Sequence, residues 1–522
     1  MSAPPIVNAP AAELRESNTS WVLLSGERAY KVKKPVRLPF LDQSTLARRR
    51  ALCRAELELN RPLAPDLYLA VRALVPTGDD GLLRLADEDD PAAVEYAVEM
   101  RRFDERRTLA ALVRTGGATD EQLDAVAERV AAFHASAHRV ILPAAGAVPA
   151  AEPAGPSAAG TDIAGPALAA ALERLDRNGE QLLALVPDAA ARARVVAQLR
   201  CAAAFANARA DELAQRAARG CVRELHGDLR AEHVLPDQPV RIVDRLEFAR
   251  DLRTVDTADE IGFLAMDLTA LGAPAAARRV VAAYRAAGGD AGDDALLAWY
   301  MLHRAQVRAK VALLGGDAGR AEADALLDLA ERCAWALRLP PLLVVCGPAA
   351  SGKSTLATEL ARRSGRPVLA ADSVRKRLAG VAATARAGEA AYTPQRSRRT
   401  YRELARLAAA AARNGGTIVD ATFRRRADRD AFHAGLAPAR FGEPLFVECV
   451  APAAVLAHRA MRRLADPQRI SDATAPLALA QLRDWEPLDE VPAARHHRLR
   501  TDREPAAIAD ALAAALDAAL AA

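Results

Sequence analysis

Leu342-Leu-Val-Val-Cys-Gly347-Pro348-Ala349-Ala350-Ser351-Gly352-Lys353-Ser354-Thr355 is the stretch on which the reading of this 522-residue chain turns. An apolar, β-type run enters G-x-x-x-x-G-K-S, and the helix-forming Leu356-Ala-Thr-Glu-Leu-Ala-Arg leaves it. Strand, loop and helix in that order are the setting a phosphate-binding P-loop requires. Gly347 and Gly352 let main-chain N–H groups turn inward around an anion, and the new helix adds its positive end. Lys353 has the reach for β- and γ-phosphates, and the Ser354 hydroxyl is a ligand for Mg²⁺. The motif predicts a nucleoside triphosphate site built on Gly347 to Thr355.

Working outward, a chain of 522 residues predicts two or three domains with cores of their own. A net charge of +4 is too small to give a whole-surface field for nucleic acid. The start, Met1-Ser-Ala-Pro-Pro-Ile-Val-Asn, lacks the basic and apolar parts of a signal peptide, and no apolar run approaches a membrane span. Cysteines at 53, 201, 221, 333, 346 and 449 form no C-x-x-C pair. They predict reduced, buried thiols in a cytoplasmic protein, with no disulfide scaffold and no zinc site. Only six of the 71 basic residues are lysines: 31, 33, 34, 310, 353 and 376. In a chain so biased to arginine, a lysine marks a place that needs a compact point charge.

Upstream, Trp21-Val-Leu-Leu-Ser-Gly-Glu-Arg-Ala-Tyr-Lys31-Val32 reads as a hairpin turning at Ser25 to Arg28. A helix follows from about Ser44, its expected N-cap, to Asn60. On its wheel Leu46, Leu52, Cys53, Leu57 and Leu59 share one arc with Glu56 in the middle. A buried Glu56 needs a partner, which a strand lysine can supply; otherwise its carboxylate reaches solvent. Val94 to Met100 is β-rich, residues 143–165 read as a flexible segment, and helical patterns resume at Pro166.

The second informative stretch is Glu224-Leu-His226-Gly-Asp228-Leu-Arg-Ala-Glu-His233-Val-Leu, closing on Val240-Arg-Ile-Val-Asp244. Val234-Leu235 and Val240 to Val243 pair across Pro236-Asp-Gln-Pro239, which brings Asp228 and Asp244 to the open end of a hairpin. Two carboxylates held together are costly unless a cation or a proton lies between them.

His226-Gly-Asp228 with Ile242-Val-Asp244 resembles the catalytic and metal-binding segments of the aminoglycoside phosphotransferase family, distant relatives of protein kinases, over residues 10–335. The resemblance implies that Asp228 positions or deprotonates an acceptor hydroxyl and Asp244 holds Mg²⁺. It also implies that Lys31 contacts ATP phosphates, that Glu56 is its helix partner, and that Glu99-Met100-Arg101 adjoin an adenine-binding hinge. Two positions depart from the family. His233 stands where the family's metal-ligand Asn falls, and imidazole is a poor Mg²⁺ ligand. Glu16-Ser-Asn-Thr-Ser20 stands in place of a glycine-rich loop.

Pro340-Pro341 stops the helical sequence, so the division is expected near 339: a domain of 1–339 (lobes 10–103 and 104–339) and one of 340–522. The second predicts a doubly wound α/β fold. Asp372 and Arg375, in Ala-Ala-Asp372-Ser-Val-Arg375-Lys376, follow a strand and so fall where an acceptor sits, with the acid able to take a hydroxyl proton. Asp420 ends the strand Thr417-Ile-Val-Asp420 and is either an Mg²⁺-orienting acid or a helix cap. Three Arg-rich runs follow, 424–429, 458–463 and 495–500. Arg459, Arg462 and Arg463 are candidates for a phosphate-neutralising lid, the rest for a solvated face.

This second half resembles P-loop kinases of small molecules and polynucleotides, and D-x-x-R at Asp372–Arg375 is similar to the acceptor pair of the polynucleotide kinase branch. The whole order resembles bacterial bifunctional proteins labelled AAA-family ATPases, although no AAA+ lid domain or inter-subunit arginine finger is legible. The fold expected is therefore an α+β protein-kinase-like half followed by an α/β doubly wound P-loop kinase-type half. The function expected is ATP- and Mg²⁺-dependent phosphate transfer to a small-molecule hydroxyl. Two alternatives stand beside it: a pseudokinase-like sensor controlling the P-loop half, and a polynucleotide 5′-hydroxyl kinase, for which a nucleic-acid partner is not favoured.

Overall fold

The computed structural model describes residues 13–17, 19–38, 41–78, 82–140, 164–382, 388, 392–413, 415–437, 442–464 and 474–521. Side chains of 164–166, 463 and 464 are not among them. The expected flexible segment 143–165 lies almost wholly outside this set; its last two residues open the helix Ala164–Leu185. Among the described residues no helix is long and apolar enough to cross a membrane. All six cysteines are buried and free.

Two compact units form, and they do not follow chain order: Met1–Glu173 with Arg209–Arg308, and Arg174–Ala208 with Ala309–Ala522. The division expected near 339 thus gives way to one at 309, with a helical segment drawn in from upstream. Unit 2 recruits the helix Ala189–Ala208 because its polar groups are answered there. Gln198 Nε2 donates to the Leu327 carbonyl at 3.0 Å, and Arg338 Nη2 donates to that of Ala197 at 2.9 Å.

Unit 1 opens with a six-stranded antiparallel sheet in the order β1-β2-β3-β6-β4-β5. The strands are β1 (Glu13–Glu16), β2 (Ser20–Ser25), β3 (Arg28–Lys33), β4 (Tyr68–Pro76), β5 (Leu83–Asp87) and β6 (Glu95–Arg101). The hairpin β2–β3 turns at Gly26-Glu27, with Gly26 at φ 55° as its tight turn demands. The preceding hairpin turns without glycine: Ser17 Oγ accepts from Thr19 N–H at 3.4 Å and Ser20 N–H at 3.0 Å. The helix Leu46–Asn60 packs on one sheet face, but its cap is Thr45, which accepts from Arg48 N–H. Ser44 was the expected cap; its hydroxyl is taken up by Asp42 at 2.6 Å.

The rest of unit 1 is helical, with a core from Asp120–Ser136, Thr257–Ala270 and Pro274–Ala286. Set into it are two short ladders: β7 (Val222–Glu224) with β10 (Thr254–Asp256), and β8 (Val234–Leu235) with β9 (Arg241–Ile242). Val234 faces Ile242, as the alternating apolar residues predict. A sheet lobe bearing one helix, followed by a helical lobe, is the protein-kinase-like arrangement expected.

Unit 2 holds a parallel sheet of β11 (Leu342–Cys346), β12 (Val368–Ala370), β13 (Thr417–Asp420), β14 (Leu445–Val450) and β15 (His496–Arg500), ordered β12-β13-β11-β14-β15. Helices cover both faces. Ala371–Ala379, Pro394–Ala412 and Arg426–Leu436 lie on one, and Arg320–Arg338, Lys353–Ser364 and Pro505–Ala521 on the other. That is the doubly wound fold. β15 comes from the run 495–500, read from sequence as a solvated face. As the edge strand of a parallel sheet it tolerates polar residues, with His496 Nε2 at 2.9 Å from Glu448 Oε2. Arg429 of the first run is likewise no surface residue: it is 1% exposed and donates to the carbonyls of Phe423 and Pro487.

The C-terminal helix buries Ile508, Leu512 and Leu516, and beside them Asp517, 4% exposed, forms a two-point pair with Arg338 at 2.7 and 2.9 Å. Removing one member leaves the other charge buried and alone, at a cost of about 3–5 kcal/mol. Asp517→Ala is expected to lower the urea midpoint accordingly, and Arg338→Met with Asp517→Leu to recover most of the loss.

Candidate functional site

The P-loop lies at the carboxyl edge of the parallel sheet, at the point where strand order reverses on either side of β11. Gly347 has φ 144°, and a Cβ there would fall 2.6 Å from the Cys449 carbonyl oxygen and 2.7 Å from Ser351 Oγ. Gly352, at φ 91°, precedes the helix Lys353–Ser364. Ala350 also takes a left-handed conformation, φ 63°, which strains a residue with a side chain. Pro348, Ala349 and Ala350 complete the turn, and Ala349 N–H donates to Gln481 Oε1 at 2.8 Å. Lys353 is half-buried, whereas Ser354 and Thr355 are exposed on the first helical turn.

Around this loop several buried polar atoms have no hydrogen-bond partner: Ser351 Oγ, Asp420 Oδ1 and Arg459 Nη1. Asp420 pairs in register with Val345 and Ala370, so the end of β13 sits between the P-loop strand and the strand leading to Asp372. Its alternative role as a helix cap is excluded, because the next helix starts at Arg426 and is preceded by Arg425. Arg459 Nη2 donates to the Thr501 carbonyl at 2.6 Å, and its Nη1 would lie 3.3 Å from a Cβ at Gly352. Of the expected lid arginines, Arg459 therefore reaches the loop. Arg462 is exposed, and the side chain of Arg463 lies outside the described residues. Asp372 occupies the first turn of Ala371–Ala379, where Arg375 Nη1 donates to its Oδ1 at 2.6 Å.

Unit 1 carries a second constellation. Glu56 is wholly buried between two lysines: Lys31 Nζ at 2.9 Å and Lys33 Nζ at 2.5 Å. The strand-lysine partner foreseen for Glu56 is present, and it is doubled. Lys31 also contacts Asp244 Oδ1 at 2.5 Å, and Lys33 contacts Glu247. Burial by itself would raise the Glu56 carboxyl, but Lys31 and Lys33 outweigh it and hold the group below its ordinary value. Partial burial is overcome in the same way at Asp244, where Lys31 and then His233 keep the carboxyl well down. Asp244 is held at φ 65°, its N–H donating to the Tyr68 hydroxyl at 3.0 Å.

His233 lies between the two acids. Its Nδ1 is 2.8 Å from the Asp228 carbonyl oxygen, which can only accept, so that nitrogen bears the proton. Nε2 lies 3.2 Å from Arg230 Nη2 and 3.7 Å from Asp244 Oδ2. Asp228 is engaged at both oxygens by Arg230, each at 3.0 Å. Burial opposes ionisation of Asp228, but Arg230 and His233 keep it below the usual carboxylate range. Asp244 and His233 thus supply two donors; among the described residues no group of three or more His, Cys, Asp or Glu side chains is placed to hold a metal. Beneath them Glu260 accepts from the N–H groups of His226 and Gly227 at 2.6 and 2.7 Å, fixing the loop that presents Asp228. Glu99 and Met100 end on β6, and Glu99 is tied to Arg72 at 2.7 Å.

Lys33, Glu247, Arg230 and Glu260 were not read from sequence as site residues. Lys33 carried a signal, as one of six lysines, and Arg230 lies between two residues that were singled out. Glu247 and Glu260 carry none, because only the fold brings them to the site.

A family model described as an AAA domain matches residues 342–488. The chain is 32% identical to uncharacterized protein Rv2004c of Mycobacterium tuberculosis (strain ATCC 25618 / H37Rv) over 383 residues, which is 72% of this chain and 70% of that protein. This chain belongs to the family of that mycobacterial protein. A gluconokinase from Sinorhizobium meliloti 1021 is similar at 23% identity and TM-score 0.26, over 35% of this chain and 95% of its own. Choline kinase from Cryptosporidium parvum Iowa II is similar at 10% identity and TM-score 0.37, over 62% of this chain and 92% of its own.

Acid acts on unit 1 in two opposing directions. Burial lowers His134 and His226 from 6.5 to about 3, so the unfolded chain takes up two more protons than the folded one as pH falls through 6.5. Burial raises Glu260 from 4.5 to about 7, so between those values the folded chain holds one extra proton. Glu247 and Asp267, also raised by burial, act on the side of Glu260, so the histidine share is read by substitution: His134→Phe is expected to raise the urea midpoint at about pH 4.5 relative to that at 6.5, compared with the parent protein.

Proposed function

We propose that the chain is an ATP-dependent phosphotransferase whose C-terminal unit moves the γ-phosphate of ATP to a hydroxyl of a small molecule. The observation that carries this reading is the set of unmet buried polar atoms around the P-loop, Ser351 Oγ, Asp420 Oδ1 and Arg459 Nη1. A polyphosphate with its hydrated cation would satisfy them. The match to an AAA domain over 342–488 supports the same reading.

In this reading the amides of Ala350 and of Gly352 to Thr355, which are not spent elsewhere in the loop, hold the β- and γ-phosphates, and Lys353 answers their charge. The Ser354 hydroxyl and Asp420 would hold Mg²⁺, directly or through water, and the ion would supply positive charge against the phosphates. The acceptor oxygen bonds to Pγ while the bond from Pγ to the bridging β–γ oxygen breaks, and ADP leaves. Asp372 takes the hydroxyl proton. Arg375 fixes the Asp372 carboxylate, and Arg459 faces the phosphates from the lid side.

A second role is favoured for unit 1 by the two-point Arg230–Asp228 pair. It leaves no Asp228 oxygen without a charged partner to receive an acceptor hydroxyl. We read unit 1 as a kinase-like module that senses nucleotide through Lys31, Glu56, Asp244 and His233 and controls the P-loop unit.

Labelled-ATP transfer by the full-length protein to pooled sugars, aminoglycosides, nucleosides and 5′-hydroxyl oligonucleotides tests both readings. Lys353→Ala is expected to abolish transfer and Asp372→Asn to lower kcat by about 10²–10⁴-fold, while Asp228→Ala leaves the chemistry in place. Transfer that survives Lys353→Ala but is lost in Asp228→Ala overturns this assignment.

A further inference from the structure

Three main-chain donors of the P-loop are used within the protein. Gly347 N–H donates to the Thr422 carbonyl at 3.3 Å, Ser351 N–H to that of Pro348 at 3.2 Å, and Ala349 N–H to Gln481 Oε1 at 2.8 Å. The third bond differs from the others, because its acceptor is a side chain on the helix Ala475–Arg483. A side-chain amide has an accepting end and a donating end. Oε1 is fixed by a main-chain N–H, which can only donate, so Nε2 offers its hydrogens elsewhere. Among the described residues they meet no acceptor.

The backbone that carries Gln481 is held without its help. Arg424 Nη1 donates to Asp484 Oδ2 at 3.2 Å, Arg426 N–H to Glu486 Oε2 at 2.6 Å, and Glu486 N–H to the Arg424 carbonyl at 3.1 Å. Trp485 and Leu488 pack into the same core as Phe423 and Cys346. At the other end of the helix, Ala475 packs with Leu456 and Ala460 against Ala350 of the loop itself. With these ties in place the half-buried Gln481 side chain is not needed as a strut. It is a donor held in place beside an anion site, and such a donor costs nothing to order when the anion arrives. Accepting at Oε1 also polarises the amide and strengthens what Nε2 can give.

We infer that Gln481 Nε2 donates to the γ-phosphoryl group of bound ATP and so distinguishes a triphosphate from a diphosphate. This rests on the phosphotransferase reading above and deepens it by naming a further residue that binds the transferred group. Gly352 to Thr355 stand at the helix end of the loop, where the positive end of Lys353–Ser364 anchors the inner phosphate. Ala349 stands at the strand end, and Gln481 carries its donor outward, past the loop, to where the terminal phosphoryl group projects. Hydrogen bonds to a charged oxygen are roughly twice as strong as neutral ones, so the γ-phosphate is the acceptor from which Nε2 gains most.

The test titrates full-length protein in excess Mg²⁺ with ADP and with the ATP analogue whose β–γ bridging oxygen is replaced by nitrogen. The readout is the ratio of the two Kd values from calorimetry. Gln481→Met keeps the length of the side chain and loses both ends of the amide. Gln481→Glu keeps an acceptor for Ala349 N–H and loses the donor. Each is expected to cut the preference for the analogue about tenfold or more, with Gln481→Glu the worse, while ADP binds within about threefold of the parent value. Retained ADP binding reports that a variant is folded; should Gln481→Met bind neither nucleotide, Gln481→Glu alone decides. A ratio unchanged from the parent, an equal weakening of both nucleotides, or a preference lost in Gln481→Met and restored in Gln481→Glu overturns the inference, the last by showing only a brace for Ala349. A parent protein that binds neither nucleotide would instead strike the phosphotransferase reading.

Discussion

The empty space at Gly347 is the constraint on which unit 2 depends. Its Cα lies so close to the Cys449 carbonyl and Ser351 Oγ that a single added carbon would have to displace main chain. That closeness lets β11 and β14 run side by side to their carboxyl ends and still leave room for a tight turn between strand and helix. With the turn in place, every other group of the proposed site is defined by distance from it: Asp420 by strand register, Asp372 by the helix after β12, and Arg459 by its bond to Thr501.

Strain marks both constellations. The non-glycine residues with positive φ among those described are Asp244, Ala350 and Phe423. Each such residue costs about 1–3 kcal/mol, which the surrounding packing must offset. Asp244 is held there by Tyr68 and Lys31, which places its carboxylate among charged neighbours, whereas Phe423 is held by an aromatic cluster of the unit 2 core.

The two units handle charge differently. In unit 1 the charges answer one another: Lys31, Lys33, Glu56, Asp244 and Glu247 form one network, and Arg230 fills Asp228. In unit 2 several buried polar groups have no answer at all. Unit 1 too has buried polar atoms without a partner, His134 Nε2 and Arg253 Nε among them, but in unit 2 three of them, Ser351 Oγ, Asp420 Oδ1 and Arg459 Nη1, gather around the P-loop. Glu260 deepens the contrast, because it spends a buried carboxylate purely on orienting the main chain at His226 and Gly227.

What could be read directly from the amino-acid order was whatever depends on near neighbours in the chain. The P-loop was legible because its glycines, Lys353 and Ser354 act within one turn, and the β8–β9 hairpin because its apolar residues alternate across a short loop. Glu56 stood out as an acid in the middle of an apolar arc, and Lys33 as one of six lysines, although nothing in the sequence paired the two. Tertiary structure alone decided the rest. It showed that Asp420 caps no helix, that Arg429 is interior, that 496–500 is an edge strand, and that Ala189–Ala208 serves the unit beyond it. Those outcomes depend on which distant surface covers a residue, and a parallel sheet with crossing helices builds that surface from segments hundreds of residues apart.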